Sequence, residues 1–176
     1  MTLTPDPRTA PPLRWGILAP GGIAAVFADA VSKYTRGQVV AVGSRNRDRA
    51  ERFATHHGIP TTHSSYRALV EDPQVEAVYV ASPHSEHREH ALLAIKAGKH
   101  VLVEKSIARS AAETQEIVDA ARAAGVFLME AMWTRFLPHV EALRDVIARG
   151  EIGEVVSVIA DHGQNMGHLP AEHRLH

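Results

Sequence analysis

"WGILAPGGIAAVFADAV", residues 15–31, decides the fold. An apolar run over 13–18 reads as a strand. It breaks at Pro20-Gly21-Gly22, and Ile23 onward carries apolar residues at helical spacing. Set against the dinucleotide-binding pattern G-x-G-x-x-G/A, the turn supplies Ala19, Gly21 and Ala24. Gly21 lets the backbone approach a pyrophosphate, and Ala24 lets helix and strand pack closely, with Gly22 and Ile23 completing the loop. Ala19 replaces the first glycine, and a Cβ at that position predicts a turn residue with negative φ.

Short apolar runs at 38–43, 76–81, 100–104 and 126–130 are β-branched or aromatic and bounded by turn residues, which predicts strands. Their near-continuous apolarity suits strands covered on both faces. Helices are expected between them. One spans 85–97 and stops at Gly98; another spans 48–57 and stops at Gly58. Ser110 and Glu113 give a capping signal for a helix ending before Gly125, and a last helix spans 139–149 before Gly150. Alternation of this kind predicts an α/β fold: a Rossmann-type doubly wound parallel sheet, with ligands beyond the carboxyl ends of its strands. Residues 153–161, "GEVVSVIAD", read as one further strand with no partner, the first strand of a second α+β domain. The expected organisation is a disordered arm over 1–12, a nucleotide-binding domain over 13–150 and the start of a truncated second domain over 151–176.

Composition narrows the function. The 176 residues hold 19 basic and 20 acidic side chains and no cysteine. This balance gives no footprint for nucleic acid or an anionic membrane, and thiolate metal sites are excluded. No apolar run approaches the roughly 18 residues of a membrane span, and the proline-rich start lacks a signal-peptide core. A cytoplasmic location is expected.

The end of the second strand speaks to cofactor choice. An NAD site places an acid there for the ribose 2′-hydroxyl, whereas Gly43, Ser44 and Arg45 offer none. Arg45 and Arg49 lie four apart across a helix start, and forked guanidiniums beside the Ser44 hydroxyl suit a 2′-phosphate. NADP(H) is therefore expected over NAD.

Two later strand ends carry chemistry. After the 76–81 strand, Ser82, Pro83 and His84 form a turn over the cofactor. His84, His87 and His90 recur every three residues. That spacing invites a metal reading, but zinc ligands on a helix favour i and i+4. The expectation is instead that His84 or His87 faces the nicotinamide, that His90 is solvated, and that no metal is held. Glu104-Lys105 ends the next strand on the same rim. The Lys105 ammonium there can hold a substrate hydroxyl and share its proton as hydride leaves the carbon.

"GILAPGGIA", "SPHSEHREHALLA" and "AGKHVLVEKS" together resemble the glucose–fructose oxidoreductase/inositol dehydrogenase/MocA (Gfo/Idh/MocA) family, whose mark is A-G-K-H-V-x-x-E-K-P. Residues 127–155 are similar to its dimeric dihydrodiol dehydrogenase/D-xylose 1-dehydrogenase branch. The resemblance implies NADP(H), a sugar, polyol or cyclic diol as substrate, and a homodimer or higher assembly for a full-length protein. It makes Lys105 the catalytic lysine with Glu104 as its companion on the cofactor side, and Arg45 the reader of the 2′-phosphate. It also places Trp133 and Arg135 at the nicotinamide and substrate region.

Two departures stand out. Ser106 replaces the family's proline, and a non-proline residue predicts a trans Lys105–Ser106 bond. The family's second domain, which supplies a further acid/base residue, is expected to be largely missing. A non-catalytic dinucleotide-binding module or degenerate subunit therefore remains a competing reading. A methyltransferase-like domain is disfavoured, because it wants an acid where Arg45 stands.

Overall fold

A computed structural model describes residues 6–161 and 163. Six parallel strands form one sheet: β1 (Arg14–Leu18), β2 (Gln38–Gly43), β3 (Thr61–His63), β4 (Ala77–Val80), β5 (His100–Val103) and β6 (Leu128–Glu130). Their order is β3-β2-β1-β4-β5-β6. The order reverses between β1 and β4, so a crevice opens there at the carboxyl ends of the strands.

The helices are α1 (Gly22–Tyr34), α2 (Arg47–His57), α3 (Tyr66–Glu71), α4 (His87–Lys96), α5 (Ala111–Ala124) and α6 (Pro138–Ala148). Side chains alternate along each strand and so feed two apolar layers. Ile17, Val42 and Tyr79 join Ala24, Ala28, Ala50 and Ala54 of α1 and α2 on one face. On the other face, Leu18, Val78, Val80, Val101 and Val103 meet residues of α3, α4 and α5. Small residues on α1 and α2 let those helices lie close to the sheet.

The expected punctuation is present. Gly58, Gly98 and Gly125 follow their helices with φ of 66°, 72° and 65°, the left-handed conformation that a Cβ penalises. Ser110 accepts from the Glu113 N–H at 3.2 Å, while the Glu113 carboxylate turns back to Arg109.

Several expectations are corrected. β3 and α3 were not foreseen, because β3 is three polar residues long and α3 is a six-residue helix capped by Ser65. Residues 155–160 are exposed and form no strand among the described residues. Val156, Val158 and Ile159 are 80% or more exposed: a strand is defined by a hydrogen-bonded neighbour, and none is present there. In the arm, residues 1–5 lie outside the described residues. Pro7–Thr9 forms a 3-10 turn capped by Asp6, and the Ala10 carbonyl accepts from Arg36 Nη2 at 2.9 Å.

Candidate active site

The loop between β1 and α1 meets the ends of β4 and β5 in a cleft of about 380 Å³. Ala19, Gly21 and Ile23 line it from the loop, and Arg49 lines it from α2. Ser82, Pro83, His84 and His87 enter from the β4–α4 connection, and Glu104 and Lys105 from the end of β5. Ten of the residues singled out in the sequence thus converge on one cleft.

Gly21 is the N-cap of α1, with extended backbone and no side-chain cap on the first turn. Nothing lies within 4 Å of where a Cβ at Gly21 or Gly22 would stand. Uncapped N–H groups at a helix start, with open space above them, fit a pyrophosphate. Ala19 has φ 68°, against the negative value expected. Its N–H is held by the Gly43 carbonyl at 3.1 Å as the chain leaves β1, and the tight entry into α1 sets the turn conformation whatever the side chain.

The remaining predicted residues sit at the edges. The Ser44 side chain is buried, and its Oγ accepts from the Asn46 N–H at 3.1 Å, so it serves the turn into α2. Asn46 in turn caps α2 by accepting from the Arg49 N–H. The Arg45 side chain is 69% exposed and pairs with Glu86 at 3.2 Å, its guanidinium 5.8 Å from the Tyr66 ring centre. Trp133 and Arg135 fall on a 3-10 turn after β6, both exposed. Trp133 lines a second, apolar cavity of about 590 Å³, which shares Ile23 and Glu104 with the cleft and is floored by Tyr79 and Met129.

Glu104 and Lys105 are not paired with each other through their side chains. One Glu104 oxygen accepts the Tyr79 hydroxyl at 2.5 Å, and the other accepts the Lys105 backbone N–H at 3.2 Å. Burial, then the adjacent Glu104 carboxylate, pushes the Tyr79 hydroxyl well above the ordinary tyrosine range, so it stays a donor. The Lys105 amine is left exposed to the cleft. Two histidines hold the backbone beneath it: His84 Nε2 lies 2.8 Å from the Lys105 carbonyl, and His87 Nδ1 lies 2.7 Å from the Ser106 carbonyl. The second His87 nitrogen meets the Ser82 carbonyl at 2.8 Å, which joins the two strand ends. The Lys105–Ser106 bond between those carbonyls is cis, against the trans bond expected.

His90 is buried, not solvated. It lies on the core face of α4 with Ala91 and Ala94, one turn from His87, and burial holds its ring below the ordinary histidine range. Its Nδ1 lies 2.8 Å from the Ser82 hydroxyl. The three histidines thus turn to the Lys105 and Ser106 carbonyls and to Ser82. Among the described residues, no group of three His, Cys, Asp or Glu stands close enough to hold a metal ion. Tyr79, Tyr66 and Glu86 were not singled out in the sequence. The period-two alternation of β4 placed Tyr79 opposite Val78 and Val80, but no local signal aimed its hydroxyl at Glu104.

Residues 13–132 match the oxidoreductase family with an NAD-binding Rossmann fold, Gfo/Idh/MocA. The chain belongs to this family. It is 45% identical over 160 residues to the trans-1,2-dihydrobenzene-1,2-diol dehydrogenase of Macaca fuscata fuscata, covering 90% of this chain and 48% of that one. Identity to the human enzyme of the same name is 44% over 160 residues. A 3-ketoreductase from Actinomadura kijaniata, solved in complex with TDP-benzene and NADP, superimposes with a TM-score of 0.74 at 34% identity. That match covers 82% of this chain and 46% of the ketoreductase. The chain thus spans about half the length of the curated relatives it matches. Among the described residues, no helix is long and apolar enough to cross a membrane.

Proposed function

We propose that this chain is the cofactor half of an NADP-dependent oxidoreductase that moves hydride between the nicotinamide and a hydroxyl-bearing carbon of a sugar, polyol or cyclic diol. The observation that carries this reading is the convergence of the uncapped α1 start and Lys105 on one cleft. The start of α1 binds the pyrophosphate, and Arg49 with Arg45 reads the adenosine 2′-phosphate. When bound, the nicotinamide supplies the carbon that accepts or donates hydride. The Lys105 Nζ holds the substrate oxygen, stabilises its developing charge during oxidation and returns a proton during reduction. Glu104, fixed by Tyr79, and the two histidines on the Lys105 and Ser106 carbonyls set the direction of that amine. A second domain, beginning after residue 150, supplies the rest of the substrate pocket and the surface of a homodimer. The dihydrodiol named for the relatives supports the cyclic-diol class.

Titration with NADPH and NADH, followed by nucleotide fluorescence, tests the cofactor half. Tighter binding of NADPH, with the advantage lost in Arg45→Ala, is expected. Equal affinity for both nucleotides in wild type and variant overturns the assignment to NADP.

A further inference from the structure

The end of β2 carries no acid, yet the fold delivers one to the same place. Glu86 enters from the β4–α4 connection, 41 residues from Arg45 in sequence, and places Oε1 3.2 Å from Arg45 Nη2. Its other oxygen, Oε2, is buried and has no hydrogen-bond partner among the described residues. The nearest cationic candidate for Oε2 is His90 Nε2 at 3.8 Å, and burial keeps that ring neutral. Tyr66 closes the third side, under Arg45 and edge-on to His90 at 4.6 Å between ring centres. The carboxylate is therefore held against Arg45 from behind, with one oxygen walled in.

Resting on the reading that Arg45 meets the adenosine ribose, we propose that Glu86 determines how strongly this site prefers NADP over NAD. A 2′-phosphate must share the Arg45 guanidinium with Glu86, and two arginines minus one carboxylate leave a single net positive charge facing a dianion. A 2′-hydroxyl is a donor, and it finds in Glu86 the acceptor that Gly43, Ser44 and Arg45 do not offer. The same contact weakens the phosphate and serves the hydroxyl, so the site takes both nucleotides, with a preference narrower than its arginines alone would give.

The test is the ratio of NADH to NADPH dissociation constants in wild type, Glu86→Gln, Arg45→Ala and the double variant. Removing the carboxylate is expected to raise the ratio by roughly tenfold, mostly through tighter NADPH, with the gain shrinking as salt screens the site. In the Arg45→Ala background, loss of Glu86 is expected to change the ratio by less than it does in wild type, because most of its effect runs through that guanidinium. Glu86→Ala serves in the same comparison if the glutamine variant does not fold. A ratio that responds to Arg45→Ala but is unchanged or lowered by loss of Glu86 overturns the role of Glu86 alone. A ratio indifferent to Arg45→Ala overturns the 2′-phosphate reading beneath it.

Discussion

The Tyr79 hydroxyl donates to the Glu104 carboxylate across neighbouring strands, 2.5 Å apart. Phe27 of α1 stacks on the Tyr79 ring with centroids 4.0 Å apart, and Trp15 meets Phe27 edge-on at 5.2 Å. The end of β5 is thus tied to the aromatic layer that includes α1.

Tyr79→Phe keeps that stack and removes only the hydroxyl, leaving a partly buried carboxylate short of a donor. A loss of about 1–3 kcal/mol in unfolding free energy is expected from urea denaturation. The alkaline limb should change too. The folded hydroxyl titrates well above the unfolded value of about 10, so its contribution is complete below pH 10 and is lost as pH rises above it. The phenylalanine variant should therefore lose less stability between neutral and strongly alkaline pH than wild type does. An identical pH profile in the two proteins would show that the tyrosine ionises equally easily in both states.

Ala19 holds a left-handed conformation that its Cβ penalises. Ala19→Gly should raise the unfolding free energy by roughly 0.5–1 kcal/mol, the released strain exceeding the added freedom of the unfolded chain. NADPH affinity should hold or improve, because the backbone over the proposed pyrophosphate site is unchanged. Thermal melts with and without NADPH check both points, and a destabilised variant would mean that the Ala19 methyl contributes more by packing than it costs in φ.

His90 is neutral in the folded state, with its ring held below the ordinary range by burial. In the unfolded chain it gains a proton near pH 6.5, so its contribution is present above that value and is lost as pH falls. His90→Gln cannot titrate, so its stability should fall less steeply than that of wild type between pH 7 and pH 5. Equal slopes in urea titrations across that range would show that His90 protonates freely in the fold.

Much of this was legible in sequence because it is local. The turn at Pro20–Gly22, the glycines at 58, 98 and 125 and the apolar strands each announce themselves within a few residues. β3 escaped because Thr61-Thr62-His63 has no apolar signature and exists through pairing with β2. The run around Val156 shows the reverse: a strand pattern that pairs with nothing among the described residues. Ala19 was misread because residue type suggested its φ, whereas the strand-to-helix turn dictates it. Glu86 and Tyr79 were invisible because their partners stand 41 and 25 residues away, and only the sheet order brings them together.

Lys105 provides the sharpest test of catalysis. Its amine faces the cleft, while its backbone is fixed by Glu104 and His84, so Lys105→Met removes the charge and leaves the strand end intact. In the whole protein, kcat for oxidation of a trans-dihydrodiol or an aldose should fall by about 10²–10⁴, the usual worth of a positioned proton donor and acceptor. NADPH affinity should stay within roughly threefold, because the proposed pyrophosphate and 2′-phosphate contacts lie elsewhere on the rim. The pH dependence of kcat should flatten as well, since the group that shares the substrate proton is gone. A variant that keeps its turnover, with folding and NADPH affinity intact, would move the proton-transfer role to another residue and leave Lys105 a cofactor-side cation.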